Sequence, residues 1–408
     1  MSTLRMIAAL IFLLSSGVQL PAQDASRHAQ ACVKVIQELR SIPLPKANFV
    51  PVAPPARVPG LLRLLNQELR DLIVAVLNDP NRDSLAEPDT VYGELKAAGW
   101  GDIYRSRWSA YGEISNIDFE WKTDHNPPLL VVDTELWVPC GSDPYTTLYV
   151  FQKNARNWDL LLTTDADYLP GEGHPDEGMR YVVSPQDQSG KWFFGVASVS
   201  PTCRNGKDEI RFKVLRPGPS PDTPIALVDR HLPVASNFDA PFNINADEDK
   251  FSITLGKERK LDGALGISIL RFDVGDTQAS RVPPFALRPE DFLDEWVRSE
   301  WSEVAPWTNK SKDAGLDEWH AKLKALAYDS TKIELVQACP VRQRDTSTWL
   351  LGLWIDQKQN RNSPDEKLYV SIREQMGAYY VDDIAKARPD GCPGNTKPSI
   401  LPETVLPF

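Results

Sequence analysis

A mixed α+β chain, helical on both sides of a long antiparallel β region, is the fold that this 408-residue sequence predicts. Three observations carry the prediction. Apolar residues recur three and four apart before residue 100 and again beyond Pro289, the spacing of a helix face. From about Glu113 the apolar period falls to two, which belongs to strands. No helical pattern intervenes between the strands of 113–285, so the crossovers that parallel pairing needs are absent. The middle segment is therefore expected to be a large antiparallel β-sandwich or barrel-like domain. The end is expected to be a small α+β domain, helices followed by a four-strand antiparallel meander. The expected organisation is a leader over 1–22, a helical segment with a Pro-rich connector over 23–112, the β domain over 113–285, the α+β domain over 289–393 and a Pro-rich tail over 394–408.

The leader rests on Arg5, the apolar run Met6 to Leu14, then Ser15, Ser16, Gly17 and a small residue at Ala22. A positive start, a short apolar stretch and a small residue at the cut make a secretory signal peptide. A membrane span needs roughly 20 apolar residues, and this run is broken by serines and glycine before reaching that length. A lipoprotein box would require small residues close before a cysteine, whereas Ala29-Gln30-Ala31-Cys32 lies beyond the apolar run. The sequence thus predicts a secreted or periplasmic protein with no integral membrane segment after cleavage. Charged residues at 25% and hydrophobic ones at 42% are globular values, which argues against a disordered chain. The formal net charge is −11, and losing Arg5 makes it more negative. A field of that sign, with no local Lys/Arg cluster, repels phosphate backbones; nucleic acid is not an expected partner.

The five cysteines, Cys32, Cys140, Cys203, Cys339 and Cys392, would enter an oxidising compartment, where disulfides are expected. None forms a Cys-x-x-Cys pair, so zinc and thioredoxin-like spacings are missing. Cys32 shares a helix face with Val33, Ile36 and Leu39 and is the one expected to stay a buried thiol. Pairing within domains then joins Cys140 to Cys203 and Cys339 to Cys392, although spacing leaves the connectivity open.

Helices are predicted over 26–40, 61–77 and 88–98, separated by prolines at 43, 45, 51, 54, 55 and 59, which lack amide donors and disfavour helix before them. In the second helix Leu61, Leu65, Leu69, Leu72, Ile73 and Val76 form one side, with Arg63, Gln67, Arg70 and Asp71 largely opposite. Strands are predicted over 129–138, 148–151, 158–162, 180–184, 191–199, 209–215, 225–229, 251–255 and 266–272. In the 209–215 segment, Ile210, Phe212 and Val214 alternate with Glu209, Arg211 and Lys213. Helices return over 290–301 and 316–327, then strands over 331–337, 348–356, 366–374 and 378–384.

The densest group of candidate ligands is Asp165, Asp167, Glu172, His174, Asp176 and Glu177 in a Gly/Pro-rich loop. Asp165, Asp167, Glu172 and Asp176 are the candidate metal residues, hard oxygens on a turning backbone. The EF-hand order nevertheless fails, since Leu169 stands at position five and Asp176 at twelve. The acidic 243–249 stretch reads as a turn between strands. Asp229 and His231 share a strand face and could be two members of a hydrolase triad, but no Gly-x-Ser-x-Gly elbow accompanies them. No phosphate loop or dinucleotide fingerprint occurs, so no cofactor is expected. Of the twelve tryptophans, Trp296, Trp301 and Trp319 stand four residues from other apolar or ring side chains, the spacing of a buried helix face.

With no catalytic motif, the leading expectation is a non-enzymatic binding or interaction protein of the cell envelope, whose partner is an unknown envelope protein or a glycan. The alternative is a carboxylate-dependent hydrolase acting on glycans. A deep pocket lined by two carboxylates and an exposed aromatic would favour the enzyme, and a convex or flat site without perturbed titrations would favour binding.

Overall fold

The computed structural model describes residues 21–44, 55–80, 88–101, 110–138, 144–155, 157–165, 179–200, 209–233, 242–259, 265–282, 288–309, 313–325, 331–341, 346–355, 366–375 and 378–387. The predicted leader (up to residue 20) and the tail lie outside them, as do Cys140, Cys203 and Cys392. Cys339 has a described backbone only, opposite Thr348 in a strand pair.

Among the described residues three helices come first, α1 (Pro21–Arg40), α2 (Val58–Leu77) and α3 (Pro88–Ala97). Proline in the first turn of α2 gives up no amide that the helix would use. Leu62, Leu65, Leu69, Leu72, Ile73 and Val76 form its buried face, and His28 of α1 bonds Glu68 of α2 at 2.8 Å. Cys32 is a free, fully buried thiol within α1, as its apolar spacing predicts.

Among the described residues, sixteen strands then form four four-stranded antiparallel sheets, each pairing its strands in chain order. The first holds β1 (Glu113–Lys122), β2 (Leu129–Trp137), β3 (Pro144–Lys153) and β4 (Trp158–Asp165). The second holds β5 (Met179–Val183), β6 (Phe194–Ser200), β7 (Glu209–Arg216) and β8 (Ile225–Pro233). The third holds β9 (Asn243–Ala246), β10 (Lys250–Glu258), β11 (Leu265–Val274) and β12 (Ala279–Arg281). After α4 (Pro289–Arg298), the short α5 (Trp301–Val304), a 3-10 turn over Ala305–Trp307 and α6 (Asp313–Ala325) comes the last sheet. It is the expected meander, β13 (Thr331–Val341), β14 (Thr346–Ile355), β15 (Glu366–Gln375) and β16 (Ala378–Ala385).

The expected sandwich or barrel takes a different form: three sheets, with no closed barrel among the described residues. Four hydrophobic clusters show how they stack. Helices α1–α3 cover one face of the first sheet through Leu130, Val132, Leu136, Tyr149 and Phe151. Its other face, through Leu129, Val131, Leu148, Val150 and Leu162, meets Phe194, Val196 and Leu215 of the second sheet and Trp192 just before β6. The second sheet's far face, with Phe212 and Val214, packs on Phe251, Ile253 and Phe272 of the third. The fourth cluster joins Phe292, Trp296 and Leu316 of the later helices to Leu351, Val370 and Val381 of the last sheet. In β7 the predicted alternation holds, with Ile210, Phe212 and Val214 turned into a core. Trp296 is fully buried there, while Trp301 and Trp319 pack partly buried beside it.

Candidate functional site

The predicted metal loop cannot be placed: 166–178 lies outside the described residues, and of Asp165 only the backbone is described, at the end of β4. No metal-holding group of His, Cys, Asp and Glu occurs among the described residues. The 243–249 stretch is a strand followed by a tight turn, closed by Asp247 N–H donating to the Lys250 carbonyl at 2.9 Å. Asp229 is taken by Arg211, whose guanidinium donates to both its oxygens at 3.0 and 2.7 Å. That hydrogen-bonded pairing holds its carboxyl below the usual carboxylate range, so the triad reading loses its acid to an ion pair.

The structure brings together a different set of carboxylates, on the face of the first sheet turned toward the second. Side chains alternate along β2: Leu130, Val132, Thr134 and Leu136 turn to the helices, and Leu129, Val131, Asp133 and Glu135 turn the other way. The second series begins apolar and ends in two carboxylates. Across the strand pair Asp118 stands opposite Asp133, and Glu120 stands opposite Val131. On the other side Glu135 stands opposite Thr146 of β3. Four carboxylates thus share one face of two adjacent strands, β1 and β2.

Their environments differ. Asp133 is half-buried, and its Oδ1 is shut from solvent with no hydrogen-bond partner among the described residues. Burial, then the charges of Glu135 and Asp118, push its titration up to about 7. Glu135 also titrates above its ordinary value through burial, a shift that the Ser115 hydrogen bond opposes and Asp118 reinforces. Glu120 behaves oppositely. Burial would raise it, but hydrogen bonds from Lys122 and from Tyr181 of β5 outweigh burial and hold it low. The Tyr181 hydroxyl is in turn driven well above the phenol range by burial and by Glu120; its ring stacks on Phe194 at 5.6 Å. Beside Glu135, the Thr146 hydroxyl is buried and lacks a partner among the described residues. A carboxyl that carries its proton near neutrality, set on the same face as Glu120, which is held low, has the division of roles that acid/base chemistry needs.

This cluster was missed in the sequence, although a signal exists. Asp133 and Glu135 fall at the same-face positions as Leu129 and Val131 within an otherwise aliphatic strand. A carboxylate on a buried strand face is unusual unless it is paired or titrates abnormally.

No family model matches the chain, and no curated protein matches it. Among solved structures it resembles the α-L-arabinofuranosidase Arb93A of Fusarium graminearum in complex with an iminosugar inhibitor. Identity is 7% and the TM-score 0.25, over 62% of this chain and 63% of that one. A second complex with an iminosugar inhibitor gives 7% and 0.25, with 66% of each chain covered. The complex of the GH93 enzyme with arabinobiose gives the same identity and score over 62% of each chain. The chain therefore spans less than two thirds of the length of these neighbours. Likeness at that level assigns no activity.

Proposed function

We propose that this chain is an exported hydrolase that cleaves glycosidic bonds with the carboxyl groups of β1 and β2. One observation carries the reading: Asp133, titrating near 7, faces Asp118 across a strand pair. Residues so opposed have Cβ atoms roughly 4.5–5.5 Å apart, close to the carboxyl separation of about 5–5.5 Å used when configuration is retained. Asp133, protonated below neutrality, gives its proton to the leaving-group oxygen as the bond from that oxygen to the anomeric carbon breaks. Asp118, an exposed side chain, bonds to the anomeric carbon as the leaving group departs. Water, deprotonated by Asp133, then releases the sugar and restores both groups. Export through the 1–22 leader belongs to the same proposal.

The test is turnover of a panel of aryl glycosides and plant and bacterial polysaccharides by residues 23–408, with intact-mass determination of the native N-terminus. The expected result is a rate falling on the alkaline side of about pH 7, lowered roughly 10²–10⁴-fold by Asp133→Asn, and a native chain beginning at Gln23. No turnover on any member of the panel, or an Asp133→Asn rate equal to wild type, would remove the enzyme reading. The binding-protein reading would then lead. It is favoured by a separate polar pocket beneath α2.

A further inference from the structure

On the opposite face of β3 from the carboxylates lies an open pocket of about 250 Å³ between α2, the first sheet and the β7–β8 turn. Arg63, Asn66, Gln67 and Arg70 line it from the helix; spacings of three, four and seven put all four on one helical face. Tyr145, Thr147, Tyr149 and Thr163 line it from the sheet, and Asp222 from the turn. The three walls are fastened together. Asn66 Nδ2 donates to Thr147 Oγ1 at 2.8 Å, and Tyr149 Oη donates to the Asn66 carbonyl at 3.0 Å. Arg70 donates to both Asp222 oxygens at 3.0 and 3.1 Å, and the Thr163 amide donates to the Pro221 carbonyl at 2.9 Å.

Two lining groups are left without partners inside this braced frame. Asn66 is 8% exposed, yet its Oδ1 has no hydrogen-bond partner among the described residues, and neither has the buried Thr163 Oγ1. A buried polar atom left unpaired costs about 1–3 kcal/mol, so two at one pocket call for an occupant. Arg63, exposed at the rim, has no hydrogen bond or ion pair among the described residues, whereas Arg70 is neutralised by Asp71 and Asp222. The pocket therefore offers one uncompensated cation, hydroxyl and amide groups of both polarities, and two tyrosine side chains.

We infer that this pocket binds a small polyhydroxylated carboxylate of monosaccharide size, with a hexuronate as the probe. Its carboxylate pairs with Arg63, and its hydroxyls reach Asn66 Oδ1 and Thr163 Oγ1, both shut from solvent, once their side chains turn toward it. The site shares no residue with the Asp118/Asp133 pair, so it stands whether or not glycosidic hydrolysis is found.

The experiment is calorimetric titration of the mature chain with glucuronate and galacturonate, and with glucose and acetate as controls lacking the carboxylate or the hydroxyls. The expected result is saturable binding of one hexuronate, at least tenfold tighter than glucose or acetate. Arg63→Ala should weaken it tenfold or more and Thr163→Val severalfold, while both variants keep the wild-type melting temperature within a few degrees. Absence of heat with either hexuronate at millimolar concentration overturns the inference. So does hexuronate binding that neither substitution changes.

Discussion

Asp133 is where burial and charge meet most sharply. Its carboxyl titrates near 7 when folded and near 3.9 when the chain is unfolded, so the native state holds the proton more tightly. Stability from that proton is fully present below about pH 4 and is lost as the pH rises through 7. At about 1.4 kcal/mol per unit the loss reaches at most roughly 4 kcal/mol. Asp133→Asn keeps the shape without the ionisation. Urea unfolding at pH 5, 6, 7 and 8 is expected to show the wild type weakening steadily and the variant much less, with the variant the more stable at pH 8. Equal pH slopes in the two proteins would mean that Asp133 ionises normally. Glu135, which also titrates high, leaves the variant with some residual slope.

At the scale of elements, much of the architecture was legible because periodicity reports it directly. Strands β2–β8, β10, β11 and β13–β16 follow from alternation or aliphatic runs, and α2 from its leucines, while β1 was marked only by the change of period near Glu113. Two short strands were not legible. Four-residue β9 lies in a stretch with the composition of a turn, and three-residue β12 carries only the polar sequence Ala-Ser-Arg, so neighbouring strands rather than local pattern create both. The α2 pocket was hidden for another reason. Arg63, Gln67 and Arg70 read as a solvated face, and only the arrival of β3 and the β7–β8 turn makes that face concave.

Close approach of the second and third sheets supplies a test at this scale. Phe251 of β10 lies over Gly195 of β6, where an added Cβ would stand 2.5 Å from the ring. Phe251 is also held between Phe212 and Phe272, with ring centroids at 6.0 and 6.3 Å, so it has little room to withdraw. Overfilling such a core typically costs about 1–3 kcal/mol. Gly195→Ala is expected to lower the unfolding free energy by that amount in a denaturant titration. An unchanged midpoint would show that the two sheets are less tightly apposed at this point.

For the whole molecule, the question is what couples the third sheet to the helices that follow it. The hydrophobic clusters on the two sides are separate, and the described links between them include ion pairs. Arg259 meets Asp291 at 3.4 Å, Arg281 meets Glu295, and Arg230 meets Glu303 at 2.5 Å. Three acidic side chains of α4, Asp291, Asp294 and Glu295, are buried, a pattern that reads in sequence as an ordinary solvated face. Arg281 is the most committed of the arginines. It lies over the rings of both Phe272 in the third sheet and Trp307 beyond α5, at 5.5 and 5.6 Å, so one guanidinium touches both cores. Removing one member of a buried pair strands the other charge, at a cost of about 3–5 kcal/mol. That cost falls at the junction. Arg281→Ala is therefore expected to lower the calorimetric melting temperature and to split a single transition into two. Arg281→Met combined with Glu295→Leu, which removes both charges together, is expected to restore much of the loss. A single transition at the wild-type temperature in Arg281→Ala would show that the coupling between the third sheet and the helices that follow is carried by apolar contacts instead.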